Sequence, residues 1–137
     1  MAHVSRRVPR TIRWLLAIVV ATAIVLGSVV DPGAGIARSG PLGLTWARWS
    51  HLGGYGFLTL TVYYALLASP LKTAVSAATV PIAVSGFGAV IELLQATLPY
   101  RTFAIGDILT NAAGAVLVAV VWSLGRRWLG DLESRRW

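Results

Sequence analysis

The 137-residue chain is 56% hydrophobic and only 12% charged, with a mean hydropathy of +0.71. A soluble domain carries about 25% charged and about 45–50% apolar residues, so the composition excludes a disordered chain and argues against an ordinary soluble domain. The chain has no cysteine, which excludes disulfides, iron–sulfur clusters, cysteine-bound zinc and thiol nucleophiles.

Four apolar runs follow in chain order. Residues 14–30 are apolar except for Thr22 and Ser28 and span about 25 Å as a helix. Ile12 and a snorkelling Arg13 extend that run toward the roughly 30 Å of a bilayer's hydrocarbon. Asp31-Pro32 reads as a helix-ending turn, and Gly33-Ala34-Gly35 and Ser39-Gly40-Pro41-Leu42-Gly43 make a long loop. The second run covers residues 52–68, and Ser69-Pro70-Leu71-Lys72 is a tight connection. The third covers 73–98 and contains Pro81, Glu92 and Gln95. Pro81 is expected as a tolerated membrane proline; a kink, or a helix that starts near it, are the alternatives. After Pro99-Tyr100-Arg101-Thr102 the fourth run covers 104–124.

The expected fold is therefore all-α, an integral membrane four-helix transmembrane bundle. A basic N-terminus (1–13) precedes a transmembrane domain (14–124), with helices at about 14–30, 51–69, 73–98 and 104–124, and a basic tail (125–137) follows. With four spans, nine Lys and Arg fall on the side of the termini and of Lys72; three, Arg38, Arg48 and Arg101, fall on the other. The positive-inside rule then puts both termini in the cytoplasm of a multi-pass cell-membrane protein. Trp14, Trp46, Trp49, Tyr100, Trp122 and Trp128 lie near run ends, where interfacial aromatics belong. No nucleic-acid partner is expected, because the basic residues flank apolar runs instead of forming a water-facing stripe. The Arg-rich start also resembles a signal peptide, with Gly35-Ile36-Ala37 as a cleavage candidate. The apolar stretch is longer than a usual signal core, and the N-terminus is expected to be retained.

Three of the five acids, Asp31, Glu92 and Asp107, lie near the outward end of a run, as do His51, Tyr55, Gln95, Arg101 and Asn111. Arg48, His51 and Tyr55 follow i, i+3, i+7; Glu92 and Gln95 are i, i+3; Asp107 and Asn111 are i, i+4. Each set shares one helix face. Gly88 and Gly114 lie on the same faces and would let neighbouring helices approach closely. Ionisable groups in a membrane are costly and turn inward to find partners. The expectation is an outward-opening polar pocket formed by Arg48, His51, Tyr55, Glu92, Gln95, Arg101, Asp107 and Asn111, with residues 99–103 as its roof. The competing expectation is structural: the same groups could glue the helices, and a Glu–Arg or Asp–Arg pair could fix that loop.

Arg48-Trp49-Ser50-His51 with Tyr55, Glu92-x-x-Gln95, Arg101 and Asp107-x-x-x-Asn111-x-x-Gly114 occur in the order and spacing of the VanZ-like family of small integral membrane proteins, and the chain resembles it over residues of about 31–121. The family commonly has Asp-Lys ahead of the His helix; here Ala47-Arg48 keeps the charge and lacks the acid. The resemblance implies a multi-pass membrane protein. The family's name comes from a protein linked to low-level teicoplanin resistance, and the resemblance does not by itself imply a reaction.

Three functions are weighed. In the first, the pocket binds an envelope component or amphiphile, Arg48 and Arg101 taking an anionic group and Glu92 and Asp107 orienting them. In the second, the protein is a membrane-embedded hydrolase or transferase for lipid-linked substrates, with His51 as base. No nucleophile-plus-base motif supports that reading, and the first is preferred. One His plus carboxylates is a sparse ligand set, so no metal or other cofactor is expected. The third is a small transporter, which with four helices would have to oligomerise. Membrane lipids, an amphiphilic small molecule and a homo-oligomer are the partners considered.

Overall fold

The computed structural model describes residues 8–31, 33, 38–67 and 77–134, with the side chains of 129–134 left aside. The connection at 69–72, the cleavage candidate at Gly35-Ile36-Ala37, and Arg6, Arg7, Arg135 and Arg136 lie outside the described residues. The chain is all-helical: α1 (Arg10–Val29), α2 (Trp46–Leu66), α3 (Thr79–Gln95) and α4 (Ile105–Ser134), with one 3-10 turn at Pro41–Gly43.

The helices differ from the apolar runs at their ends, and local chemistry accounts for the starts of α2 and α3. Helix α2 begins at Trp46, ahead of the expected start, because Thr45 caps it: its Oγ1 accepts the Arg48 N–H at 3.3 Å. Helix α3 begins at Thr79, so Pro81 stands in its first turn, where a missing N–H costs no intrahelical bond. Helix α4 continues through Gly125 to Ser134, past the last residue of the apolar run. Asp31 makes the expected turn, its Oδ1 accepting the Gly33 N–H at 2.9 Å, with Gly33 at φ +63°.

Helix α2 lies at the centre and touches the other three; its closest partner is α4. Gly114 permits that approach, since a Cβ there would stand 2.2 Å from the Leu52 carbonyl oxygen. Tyr55, Leu58, Tyr63 and Leu66 of α2 form the core with Val80 and Val84 of α3 and Ala115 and Ala119 of α4.

The surface is inverted relative to a water-soluble domain. Only Ala17 and Ser28 are buried in α1. Ile18, Val19 and Leu26 of α1, Ile82, Val90 and Leu93 of α3, and Leu109, Leu117 and Val121 of α4 are each more than half exposed. Buried among the helices are Thr59, Thr61, Glu92, Gln95 and Asn111. Apolar flanks around a polar interior suit a solvent of acyl chains and would be an aggregation hazard in water. Among the described residues, α1 and the Ile105–Trp128 part of α4 are long and apolar enough to cross a membrane; α3 is a shorter apolar helix.

Candidate functional site

The C-terminal ends of α1 and α3 and the N-terminal ends of α2 and α4 meet at one end of the bundle, and the polar residues meet there too. His51 sits in the second turn of α2. Its ring is parallel to that of Tyr55, one turn on, with centroids 6.4 Å apart. His51 Nδ1 lies 2.9 Å from Asn111 Oδ1 of α4. An amide oxygen can only accept, so Nδ1 carries the proton and donates it to this bond. In the neutral ring Nε2 then holds a lone pair, and it faces Asp107 Oδ2 at 3.7 Å.

Glu92 comes from α3 and is 1% exposed. Its Oε2 accepts the Ala104 N–H at 3.5 Å, while Oε1 has no partner. Gly88, one turn earlier, lets α3 press against Asn111 and Tyr55: a Cβ there would stand 2.9 Å from Asn111 Nδ2 and from Tyr55 Cε1. Tyr55 Oη and Asn111 Nδ2 are also buried without a hydrogen-bond partner. Three helices thus bring His51, Glu92 and Asp107 together, with one donor atom of each within 4.8 Å of the others.

A cavity of about 450 Å³ opens beside this cluster. Of the sequence-predicted residues, His51, Tyr55, Gln95, Arg101 and Asp107 line it. Glu92 and Asn111 are buried and do not line it; Asn111 joins the cluster through its bond to His51, and Glu92 through the closeness of its carboxylate to His51 and Asp107. Arg48 lies elsewhere, against the first turn of α4, where a Cβ on Gly106 would be 3.1 Å from its guanidinium. Sequence reasoning missed the wall contributed by α1, through Gly27 and Ser28, and the lining residue Ser50. Gly27 and Ser28 belong to an apolar run with no local signal of a site. Tyr100 and Thr102 of the expected 99–103 roof do line the cavity.

The 99–103 loop is tied down by carbonyls. A helix leaves its last C=O groups without intrahelical partners, and here α1 hands them to the neighbouring elements. Arg101 Nη2 donates to the carbonyls of Gly27 at 3.0 Å and Val30 at 2.6 Å. Tyr100 Oη donates to Val29 O at 2.6 Å, and Gln95 Nε2 to Ser28 O at 3.2 Å. Among the described residues no Asp or Glu lies within ion-pair distance of Arg101; the only such contact is His51–Asp107. Arg101 therefore lines the cavity while capping α1.

Chemically, the cluster offers a lone-pair imidazole nitrogen, two carboxylates and unpartnered hydroxyl and amide groups. It can accept or relay a proton, hydrogen-bond a polar head, or hold a cation through His51, Glu92 and Asp107. No curated protein and no solved structure matches the chain. The VanZ/LLP1 family profile matches residues 14–126, which run from the first turn of α1 through the apolar part of α4 and contain every residue of the cluster. With a match over most of its length, the chain belongs to the VanZ/LLP1 family, and its two helices long and apolar enough to cross a membrane are in keeping with a membrane protein.

Proposed function

We propose that the chain is a multi-pass protein of the cell membrane, with both termini in the cytoplasm, and that its polar cavity opens toward the outer leaflet and receives the polar head of an envelope amphiphile. The observation that carries this reading is the convergence of His51, Glu92, Asp107 and Asn111 beside a cavity at one end of an otherwise apolar bundle. Buried polar groups are normally satisfied, and groups left open in a membrane protein mark a place where something polar enters. A lipid headgroup fits such a place: its polar atoms meet the cluster while its chains lie along the exposed flanks of α1 and α3. The nine-to-three distribution of Lys and Arg supports the orientation.

The test is retention of an amphiphile by the full chain. Native mass spectrometry of protein extracted from its own membrane should show a bound amphiphile that is lost in Glu92→Gln and Asp107→Asn but kept in Val121→Ala on the lipid-facing side. Equal retention in all of them contradicts the reading. Orientation is tested separately on the cysteine-free background: Leu42→Cys should react with an impermeant maleimide in intact cells, and protection of that site would reverse the topology.

A second reading is favoured by one observation, the carboxylate facing His51 Nε2 with a second carboxylate beside it. It is a hydrolase or transferase acting on the same lipid-linked substrate, with His51 as the base. Activity of the purified chain against lipid phosphates, lost in His51→Gln, would select it over simple binding.

A further inference from the structure

We propose that His51, Glu92 and Asp107 form a binding site for one divalent cation of the Zn²⁺ or Mn²⁺ class. The argument begins with the tautomer. Asn111 Oδ1 accepts a hydrogen bond from His51 Nδ1–H, which in the neutral ring leaves the Nε2 lone pair facing the Asp107 carboxylate at 3.7 Å. Two acceptors then face each other at a distance too long for a hydrogen bond, and neither satisfies the other. A ligating histidine is commonly held this way, its second ring nitrogen donating to an outer partner that fixes the ring.

The third donor points the same way. Glu92 is 1% exposed, and its Oε1 has no partner. Burial this deep makes the ionised carboxylate costly without a compensating charge, no Lys or Arg lies within ion-pair distance of it among the described residues, and a bound cation would supply that charge. The donor atoms of the three side chains lie within 4.8 Å of one another. Tetrahedral ligands at about 2.0–2.2 Å from one ion stand about 3.3–3.6 Å apart, so side-chain adjustments of about 1 Å would gather all three around it. Tyr55 Oη, 2% exposed as a residue and also without a partner, lines the cavity beside His51 and Asp107.

One imidazole with two carboxylates suits Zn²⁺ and Mn²⁺; soft ions prefer sulfur, and Mg²⁺ prefers oxygen and water alone. Three protein ligands leave positions open toward the cavity, where an anionic group or water can bind. The site holds whether or not an amphiphile enters the cavity, so the two readings can fail separately.

The experiment uses the full chain in detergent, stripped with a chelator and titrated with Mn²⁺ and with Zn²⁺. The expected result is one equivalent per chain, with affinity reduced at least about a hundredfold in His51→Gln and Asp107→Asn. Asn111→Ala, which frees the ring, should weaken binding about ten- to a hundredfold, and Asp31→Asn should leave it unchanged. The absence of stoichiometric binding, or equal binding by the His51 and Asp107 variants, overturns the proposal. Should those variants fail to fold, the electron-spin-echo spectrum of Mn²⁺ on the unaltered chain decides. A directly bound imidazole nitrogen supports the site, and a purely oxygen environment overturns it.

Discussion

The two ends of the bundle differ in how completely their buried polar groups are satisfied. At the far end and through the middle, side-chain hydroxyls fall back on the backbone. Thr59 Oγ1 donates to Tyr55 O at 2.8 Å, Thr61 Oγ1 to Leu58 O at 2.8 Å, and Tyr63 Oη to Ala77 O. The Tyr63 ring then stacks flat on Trp122, with centroids 5.3 Å apart, and Arg13 lies over the Tyr64 ring at 4.5 Å. At the other end, Tyr55 Oη, Glu92 Oε1, Asn111 Nδ2 and Arg101 Nε are buried with no partner, and among the described residues these are the only such side-chain atoms. Helix–helix glue would satisfy its members, as the far end does. Under the proposed function, the cluster is left open for a group from outside the chain, and its cost in stability is carried by the packing around it.

The largest way to break this contrast is at the helix crossing that holds the cluster. Gly114→Ala should cost about 3 kcal/mol, the upper part of the usual overpacking range, because its Cβ would meet the Leu52 carbonyl at 2.2 Å. Gly125→Ala, with nothing within 4 Å, should be neutral or gain up to about 1 kcal/mol from helix propensity. Thermal unfolding in detergent reads both, and equal effects would remove the α2–α4 contact from the account.

Glu92→Gln sharpens the contrast in the opposite direction. The amide can still accept the Ala104 N–H and carries no charge to bury, so the chain stripped of cations should gain about 1–3 kcal/mol. Its cation binding should be lost at the same time. A destabilised variant would show that the carboxylate is already satisfied within the chain.

Arg101→Ala removes the donor to the Gly27 and Val30 carbonyls and should cost about 1.5–3 kcal/mol, the range of hydrogen bonds made by charged groups. Exchange protection should fall at the end of α1 and remain at Tyr63. An unchanged α1 end would return Arg101 to a purely ligand-facing role. The smallest effect is expected far from the cluster: Thr61→Val should shift stability by less than about 1 kcal/mol, because the Leu58 carbonyl keeps its helix bond.

How much of this was written in the sequence follows from what each pattern encodes. Hydropathy marks the stretches that tolerate lipid, so it found four helices and missed their polar ends: Trp46–Ser50 ahead of His51, and the continuation of α4 beyond Leu124. Spacing encodes helix faces, so the pairs Glu92/Gln95 and Asp107/Asn111 could be read along the chain. Which face meets which is a tertiary fact. Nothing local shows that Asn111 reaches across to His51, that Glu92 sits behind the cavity wall, or that Arg101 is spent on carbonyls 71 and 74 residues away in sequence. The contribution of α1 was hidden most completely, since main-chain carbonyls leave no trace in residue type.

The most direct test is solid-state NMR of the chain in bilayers, with labelled imidazole nitrogens and carboxyl carbons. The account predicts a protonated Nδ1, an unprotonated Nε2, and dipolar contacts from the His51 ring to the side-chain carboxyl carbons of both Asp107 and Glu92, as donor atoms within 4.8 Å require. A His51 ring whose only contacts are acyl-chain protons, with neither carboxylate nearby, would contradict it.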